Sequence, residues 1–340
     1  MAEALVSLRV VKTIVGLLGI IGNWLVCVVI YRVRSMHTLT NAFIANQAVV
    51  DFLGSLMLLL SSNVPTPYPL DQDLASWLLC RLWVSDILVW AFFTASTFNL
   101  VALTLERYYA IVFPFRYQRN FQSCKATVVI ACVWVFGMAT CAYGIVIHVI
   151  NEGGRCVQIA VPGAHAIGVL YLCMQYFLPA SVMFFAYSHI AIVLKRNATR
   201  VGPMQARRQD RAGGSVSGQP AGEGAGDAML RARRNTIKTL VLVFAVYVVC
   251  WTPSSVIFFM YNFGWPLDFR GALYIISTSM VAINSCANPF IYALKYQQFR
   301  RGVRSMLGLT QDAGQETTAH EMHSYSTGST AAGTVSAQCP

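Results

Sequence analysis

Charged side chains are scarce in this chain of 340 residues. Only 11% of its residues are Asp, Glu, Lys or Arg, and 56% are hydrophobic. An average soluble protein has about 25% charged residues, which is more than twice this share. The composition therefore excludes an ordinary soluble domain and predicts a membrane protein.

Motifs for catalysis or for phosphate and metal binding are also missing. The sequence has no GxxxxGK[ST] phosphate loop, no HExxH zinc motif, no His cluster within an apolar run and no repeat between its halves. We therefore predict that the chain is not an enzyme and has no cofactor, apart from the sodium ion considered below. The missing repeat also argues against a secondary transporter, which is the alternative from a different class.

Long apolar runs are what the sequence has instead. Seven of them are long enough to cross a hydrocarbon core about 30 Å thick as helices. They are Leu5–Tyr31, Ala42–Val64, Leu79–Tyr109, Ala126–Ile150, Ala166–Leu194, Thr236–Phe263 and Gly271–Leu294. The sequence therefore predicts an all-α membrane protein built as a seven-transmembrane helix bundle.

The remaining segments complete the predicted organisation. Residues 1–4 are expected to form a very short extracellular amino terminus before the seven-span bundle of residues 5–294. Within the bundle, residues from about 195 to 235 are rich in Gly, Ala, Arg and Ser and predict a disordered third intracellular loop. Residues 295–309 alternate apolar and basic faces, as a short amphipathic helix does, and residues 310–340 predict a disordered cytoplasmic tail.

Basic residues are distributed unevenly among the loops. The formal net charge is +11, but 20 of the 25 Lys and Arg residues lie at alternate ends of the apolar runs. Because loops rich in Lys and Arg stay in the cytosol, this pattern predicts an extracellular amino terminus and a cytoplasmic carboxyl terminus. The basic charge is thus assigned to orientation in the plasma membrane and not to nucleic-acid binding.

Two of the ten cysteines fall in water-exposed stretches of the predicted outer side. Cys80 precedes the third span and Cys156 follows the fourth. In an oxidising compartment two such thiols favour a disulfide over two free cysteines. A bond that closes a loop of about 76 residues contributes about 4 kcal/mol in the chain-entropy description.

One carboxylate lies deep inside the second apolar run. Asp51 is costly there without partners, and such a residue marks function by default. Oxygen-bearing side chains at comparable depth suit a small hard cation such as Na⁺, while a polar cluster that only joins helices is the alternative. With Asn23 as a further polar neighbour, the candidate Na⁺ ligands are Asp51, Ser96, Asn284, Ser285 and Asn288.

The third run ends in an acidic and a basic residue, Glu106 and Arg107. Each would cost about 2.5 to 3.5 kcal/mol at the membrane centre but little where the helix meets water, so the pair marks the inner end.

Pro179, Pro253 and Pro289 lie inside the fifth, sixth and seventh runs. Each removes a backbone hydrogen bond and kinks its helix, and hinges and fixed bends both remain open.

These features together resemble the rhodopsin-like (class A) G-protein-coupled receptors, over residues from about 5 to 307. The resemblance is specific because many signatures occur in order. They are Gly22-Asn23, Asp51, Cys80, Glu106-Arg107-Tyr108, Trp134, Cys156, Pro179, Tyr187, Cys250-Trp251-Thr252-Pro253 and Asn288-Pro289-Phe290-Ile291-Tyr292.

The resemblance implies a receptor that binds an extracellular ligand and activates heterotrimeric G proteins when its inner mouth opens. It also implies receptor kinases and arrestin as partners of the tail. The residues implied in coupling and switching are Glu106, Arg107, Tyr108, Phe115, Tyr187, Trp251, Pro253, Asn288, Pro289 and Tyr292.

The resemblance is closest to neuropeptide receptors, so the predicted ligand is a neuropeptide, with a non-peptide small molecule as the alternative. Val89 stands where amine receptors carry an aspartate, and Ala282 stands where light-sensing members carry the retinal lysine. An excess of acids in the outer stretches, Asp268 among them, favours a basic or amidated peptide. The implied ligand lining is Asp86, Val89, Trp90, Phe93, Tyr171, Gln175, Trp251, Ser254, Ser255, Phe258, Tyr261, Tyr274 and Thr278.

The charge distribution makes a testable prediction about topology. An epitope tag fused after Pro340 should bind antibody only in permeabilised cells, because the basic loops hold that side in the cytosol. A tag inserted after Asn151 should bind antibody on intact cells. The reverse staining pattern would contradict the predicted orientation.

Overall fold

A computed structural model describes residues 2–140, 142–159, 161–211, 223–266 and 271–308, with side chains except at 2–5, 7, 197–211 and 223–234. The predicted tail at 310–340, residues 212–222 of the third intracellular loop and Asp268 lie outside the described residues. The described part consists of helices and one two-stranded sheet.

The helices, strands and turns follow one another in chain order. They are α1 (Ala2–Arg32), a 3₁₀ turn (Arg34–Met36), α2 (Leu39–Asn63), α3 (Leu74–Leu78), a π-helical turn (Leu79–Val84), α4 (Ile87–Val112), α5 (Pro114–Asn120), α6 (Ser123–Ala139), α7 (Ala142–Ile147), β1 (His148–Ile150), β2 (Cys156–Gln158), α8 (Ala164–Leu172), a second π-helical turn (Cys173–Phe177), α9 (Leu178–Arg211), α10 (Glu223–Asn262), α11 (Ala272–Lys295) and α12 (Gln297–Met306).

Seven helical stretches correspond to the seven predicted spans. Six are long and apolar enough to cross a membrane: Leu8–Arg32, Leu39–Asn63, Ile87–Val112, Ser123–Ile147, Ala164–Arg196 and Asn235–Asn262. The seventh, α11, has 24 residues and buries several polar side chains, among them Asn284, Ser285 and Asn288. Its lower apolarity therefore reflects a polar face inside the bundle.

The third span begins later than the sequence predicts. The apolar run from Leu79 was expected to be one helix, but α4 begins only at Ile87. Between the π-helical turn and α4, Asp86 has a φ of 54°, in the left-handed region that residues other than glycine rarely adopt. Both pieces are equally apolar, so hydropathy alone could not reveal the interruption.

Helix α4 is the central helix of the bundle and packs against α2, α6, α9 and α11. It lies close to α6 at Gly137, where an added Cβ would lie 2.6 Å from the Cβ of Ala95. Only glycine permits this separation, because real Cβ atoms essentially never come so close. The two helices are therefore in direct backbone contact.

The fourth run also ends earlier than predicted. Its last three residues, His148–Ile150, form β1, which pairs antiparallel with β2 in the register His148 to Gln158 and Ile150 to Cys156. The backbone groups of this segment are thus satisfied by a neighbouring strand and not by a helix. We call residues 148–158 the hairpin.

Two contacts attach the hairpin to the bundle. The predicted disulfide is confirmed: it joins Cys156 to Cys80, with the Cα atoms 5.4 Å apart. At the tip, Gly154 has a φ of +65°, and its carbonyl accepts a hydrogen bond of 2.8 Å from the Leu70 amide. A Cβ at Gly154 would also lie 2.5 Å from the Cβ of Pro69. Both the positive φ and the lack of space therefore require glycine at this position.

Helix α12 packs against α1 and the 3₁₀ turn at the end of the bundle opposite the hairpin. Phe299 is buried there, and Gly302 lies so close to Met36 that an added Cβ would be 2.9 Å from its Sδ. Met306 and Leu307 stay exposed. We call this end of the bundle the α12 end and the other the hairpin end.

The contact between α4 and α6 gives a stability prediction. Gly137→Leu should lower the unfolding free energy by about 1 to 3 kcal/mol, because the new side chain would overlap Ala95. Ala139→Leu is the matched control on the same helix, and its exposed position should leave the melting temperature nearly unchanged. Equal melting temperatures for the two purified variants would contradict the close packing.

Candidate functional site

A cavity of about 400 Å³ lies at the hairpin end of the bundle. It is bounded by residues of α7, α8, the second π-helical turn, α10, α11, the hairpin and the start of α4. Nine of the predicted ligand residues line it: Trp90, Tyr171, Gln175, Trp251, Ser254, Ser255, Phe258, Tyr261 and Tyr274. The structure therefore brings together most of the residues that the resemblance implied.

The other four predicted ligand residues do not line this cavity. Val89 and Phe93 are buried in the core, and the Thr278 hydroxyl donates to the Tyr274 carbonyl at 2.9 Å. Asp86 lies near Lys12 of α1, with 4.0 Å between the carboxylate and the ammonium nitrogen. Its left-handed backbone position turns this carboxylate into a partner for α1, which the sequence pattern did not show.

Sequence reasoning missed the side of the cavity formed by the fourth span and the hairpin. The residues on that side are Thr140, Tyr143, Gly144, Ile147, His148 and Gln158. Ile167, Gly168 and Leu172, on α8 in the fifth span, line the cavity as well and were also missed. A strand that folds back over a helix bundle leaves no local signal in hydropathy. The predicted Cys80–Cys156 bond was the one available clue, since it draws Gln158 towards the start of the third span.

The floor of the cavity holds buried polar groups. Gln175 is only 4% exposed, and neither its side-chain oxygen nor its side-chain nitrogen has a hydrogen-bond partner among the described residues. The indole nitrogen of Trp251 is likewise buried without an acceptor there. Beneath them, the Tyr247 hydroxyl of α10 donates to the backbone carbonyl of Gln175 at 3.0 Å. The floor thus joins the fifth and sixth spans.

A directed series of hydrogen bonds crosses the middle of the bundle. The Trp134 indole donates to Asn46 at 3.0 Å, Asn46 to Asn99 at 2.8 Å, and Asn99 to Gln47 at 2.8 Å. Gln47 then donates to the Asp51 carboxylate at 2.9 Å. We call these five residues the polar chain. Because every donor points towards Asp51, the bonds polarise one another in the same sense.

The predicted cation ligands lie around the end of the polar chain, although not all face Asp51. Asn288 donates to Asp51 Oδ2 at 2.9 Å, and Gln47 also donates to the Ser96 hydroxyl. Among the described residues, the second oxygen Asp51 Oδ1 and the side-chain oxygens of Asn284 and Asn288 are buried without a donor. Such unpaired oxygens fit a small hard cation.

Asn23 joins two helices and does not bond to Asp51. Its amide nitrogen donates to the backbone carbonyls of Gly19 at 2.9 Å and Ser285 at 3.0 Å, so it joins α1 to α11. Gln47, which sequence reasoning did not single out, is the amide that contacts Asp51. A Gln four residues before Asp51 on the same helix face was the available signal.

An ionic cluster lies at the α12 end of α4. Both oxygens of the buried Glu106 carboxylate accept hydrogen bonds from the Arg107 guanidinium. The carboxylate also accepts from the Tyr117 hydroxyl at 2.6 Å and from the Thr40 hydroxyl at 3.3 Å. Burial and the nearby Glu106 raise the pKa of Tyr117 on α5, so this hydroxyl stays protonated and remains a donor.

The remaining predicted switch residues lie close to this cluster or along the helices that lead to it. The Tyr187 hydroxyl pairs with Thr104 at 2.9 Å, and Tyr108 pairs with His189 at 3.0 Å. The Tyr292 hydroxyl is buried without a partner among the described residues. Three tyrosines on three helices therefore differ in whether their hydroxyl groups are bonded.

A second cavity, of about 450 Å³, opens beside Arg107 at the α12 end. Tyr117, Ile237 and Tyr296 also line it. Burial raises the pKa of Tyr296 to about 12, so its hydroxyl stays protonated and donates to Asn41 at 2.9 Å.

The predicted G-protein contact and the three prolines complete the set. Phe115, at the start of α5, is 87% exposed. Pro253 and Pro289 lie inside α10 and α11, and Pro179 follows the second π-helical turn. Pro289 packs against Gly22 of α1, where an added Cβ would be 3.0 Å away. Pro289 is therefore closely packed against α1.

Comparison with known proteins gives a consistent result. A family profile described as "7 transmembrane receptor (rhodopsin family)" matches residues 22–292, which is most of the chain. This family consists of receptors, which confirms the prediction that the chain is not an enzyme. It also confirms the seven-helix membrane fold.

Several curated proteins are similar to nearly the whole chain. Galanin receptor 2b of Danio rerio is 28% identical over 89% of this chain and 75% of its own length. Trace amine-associated receptor 9 of Rattus norvegicus is 28% identical over 85% of this chain and 83% of its own length. Neuropeptide FF receptor 1 of Homo sapiens is 29% identical over 87% of this chain and 69% of its own length. The chain belongs to the rhodopsin family of seven-transmembrane receptors.

Proposed function

We propose that this receptor binds an extracellular neuropeptide in the hairpin-end cavity and activates heterotrimeric G proteins at the α12 end. One observation carries the proposal: a large aromatic cavity and a cavity beside Arg107 lie at opposite ends of the same helix bundle. The polar chain crosses the bundle between them. The arrangement suits a protein that converts ligand occupancy on one side into a binding surface on the other.

The chemistry of the first cavity favours a peptide. Trp90, Tyr171, Phe258 and Tyr261 give it an aromatic wall, and serines and a glutamine supply neutral hydrogen-bonding groups. Peptide side chains and backbone amides need such a mixture of apolar contact and a few polar groups. Two of the relatives named above are galanin and neuropeptide FF receptors, which supports the same class of ligand.

A small amine is the second candidate, since one relative is a trace amine-associated receptor. An ammonium group buried in a cavity needs a carboxylate partner. None of the described residues that line this cavity is Asp or Glu, and Asp86 lies beside Lys12 instead. The lining therefore favours the peptide over the amine.

The orientation that follows places the hairpin end outside the cell. The basic stretches then face the cytosol, and the disulfide lies in an oxidising environment. The exposed ring of Phe115 and the cavity beside Arg107 face the same side as the G protein. Receptor kinases and arrestin would act on the tail beyond the described residues.

Activation in this proposal is a shift between two packings of one bundle. In the described arrangement the Arg107 guanidinium is held by Glu106. In the open arrangement Arg107 is released towards the G protein, and the free hydroxyl of Tyr292 and that of Tyr187 find new partners. A ligand drives this change only to the extent that it binds the open packing more tightly.

Na⁺ is proposed as an allosteric ligand of the closed packing. The oxygens of Asp51, Asn284 and Asn288 that have no donor in the described part of the chain would hold it, with Ser96 and Ser285 nearby. When bound, the ion would supply positive charge to a buried carboxylate that accepts hydrogen bonds from the Gln47 and Asn288 amides. Asp51 and its amide partners then keep the helices close.

Arg107 provides the direct test of G-protein coupling. In Arg107→Ala, GDP release from added G protein should fall at least about tenfold, while affinity for a peptide agonist found by library screening should change less than about threefold. Lys125→Ala is the control, since Lys125 is exposed at the start of α6 and does not line the cavity. Undiminished GDP release in Arg107→Ala would contradict the proposal.

Tyr247 provides a test of the switch. Its hydroxyl bond to Gln175 joins α10 to the second π-helical turn and contributes about 1 kcal/mol to the closed packing. Tyr247→Phe should therefore raise GDP release without agonist about fivefold, whereas Tyr31→Phe, at an exposed position, should not. A basal rate equal to or below the wild-type rate in Tyr247→Phe would show that the bond does not favour the closed packing.

A further inference from the structure

The buried glutamine in the cavity floor is the least satisfied polar side chain of the hairpin end. Gln175 is 96% buried, and both polar atoms of its amide lack a partner among the described residues. Buried amides are nearly always paired, because an unpaired one loses its bonds to water and gains nothing in return. We therefore expect the unpaired Gln175 amide to form hydrogen bonds with a ligand.

Gln47 is a buried glutamine of the same chain whose side-chain amide is fully paired within the protein. Gln47 is also fully buried, but its nitrogen donates to Asp51 and Ser96, and its oxygen accepts from Asn99. The two residues share their chemistry and burial, and they differ only in pairing. The unpaired state of Gln175 is therefore a property of the cavity.

The floor offers a definite set of hydrogen-bonding groups. Gln175 supplies two N–H donors and one carbonyl acceptor in a plane, and the unpaired Trp251 indole adds one more donor. Among the described lining residues there is no Asp, Glu, Lys or Arg. A neutral ligand group that both donates and accepts is thus preferred over a charged one.

We propose that the floor binds a carboxamide of the ligand, with the ligand N–H donating to Gln175 Oε1 and the ligand carbonyl accepting from Gln175 Nε2 or Trp251 Nε1. This inference rests on the proposed role of the cavity as the ligand site, and it names the chemical group that the site recognises. A peptide backbone amide and a carboxyl-terminal primary amide both carry this group. An ester of the same shape lacks the N–H donor and leaves the Gln175 oxygen unpaired.

The binding test uses 3-phenylpropanamide and methyl 3-phenylpropanoate, which has no N–H group, as probes for the purified full-length receptor in lipid nanodiscs. We expect the amide to bind about tenfold more tightly than the ester, since the ester forfeits a buried hydrogen bond. Gln175→Met should abolish this preference, and Gln175→Glu, which keeps the shape but exchanges the amide for a carboxyl group, should reduce it. Equal affinities in the wild type, or a preference that persists in Gln175→Met, would overturn the inference.

The stability test needs no ligand. Gln175→Met should raise the melting temperature of the ligand-free receptor, because it replaces an unpaired buried amide by an apolar chain of the same length. Gln47→Met is the matched control and should lower the melting temperature, since it leaves the Asp51 and Asn99 groups without their partner. A fall in Gln175→Met as large as that in Gln47→Met would show that the amide is already paired within the protein.

The outcome for peptide binding is separable from the outcome for the carboxamide. If a peptide agonist signals equally well through Gln175→Met, the peptide receptor stands and the carboxamide contact is overturned. If the amide probe is preferred but no peptide activates the receptor, the carboxamide contact stands and the peptide assignment fails.

Discussion

The buried carboxylate of Asp51 is the constraint on which the rest of the bundle depends. A carboxylate inside a membrane protein needs donors, and here amides on two helices supply them, with Gln47 and Asn288 bonded directly to it. Through the polar chain, the hydrogen bonds that satisfy Asp51 continue to Asn99 on α4 and to Trp134 on α6. Four helices are thus positioned by the need to satisfy one charge. Apolar packing alone would not specify their mutual rotation, because lipid is as apolar as the helices are.

Other buried polar groups of the bundle are unsatisfied in the described part of the chain, and the proposed switch uses them. The second oxygen of Asp51, the Tyr292 hydroxyl and the Gln175 amide all lack partners among the described residues. Each can gain a bond when an ion, a moved helix or a ligand arrives. The structure therefore combines a fixed polar framework with a few free positions, and a small change of free energy at those positions suffices to favour another packing.

Much of this could be predicted from the sequence, and the failures have physical causes. Long apolar runs gave the seven spans, and the isolated polar residues Asp51, Glu106 and Arg107 marked the interior and one end. The break at Asp86 escaped notice because it depends on backbone angles and not on polarity. Gln47 was missed because the partners of its long side chain, Asp51 and Asn99, are set by packing between α2 and α4. The hairpin side of the cavity likewise depends on tertiary folding.

The central claim is that this bundle has two packings, closed and open at the α12 end. The most direct measurement is the distance between spin labels placed at Arg34, which follows α1, and at Lys238 on α10, in the full-length receptor without other reactive cysteines. Both positions are exposed. The account predicts a second, longer distance population that grows when nucleotide-free G protein is added. A single distance, unchanged by G protein, would contradict it.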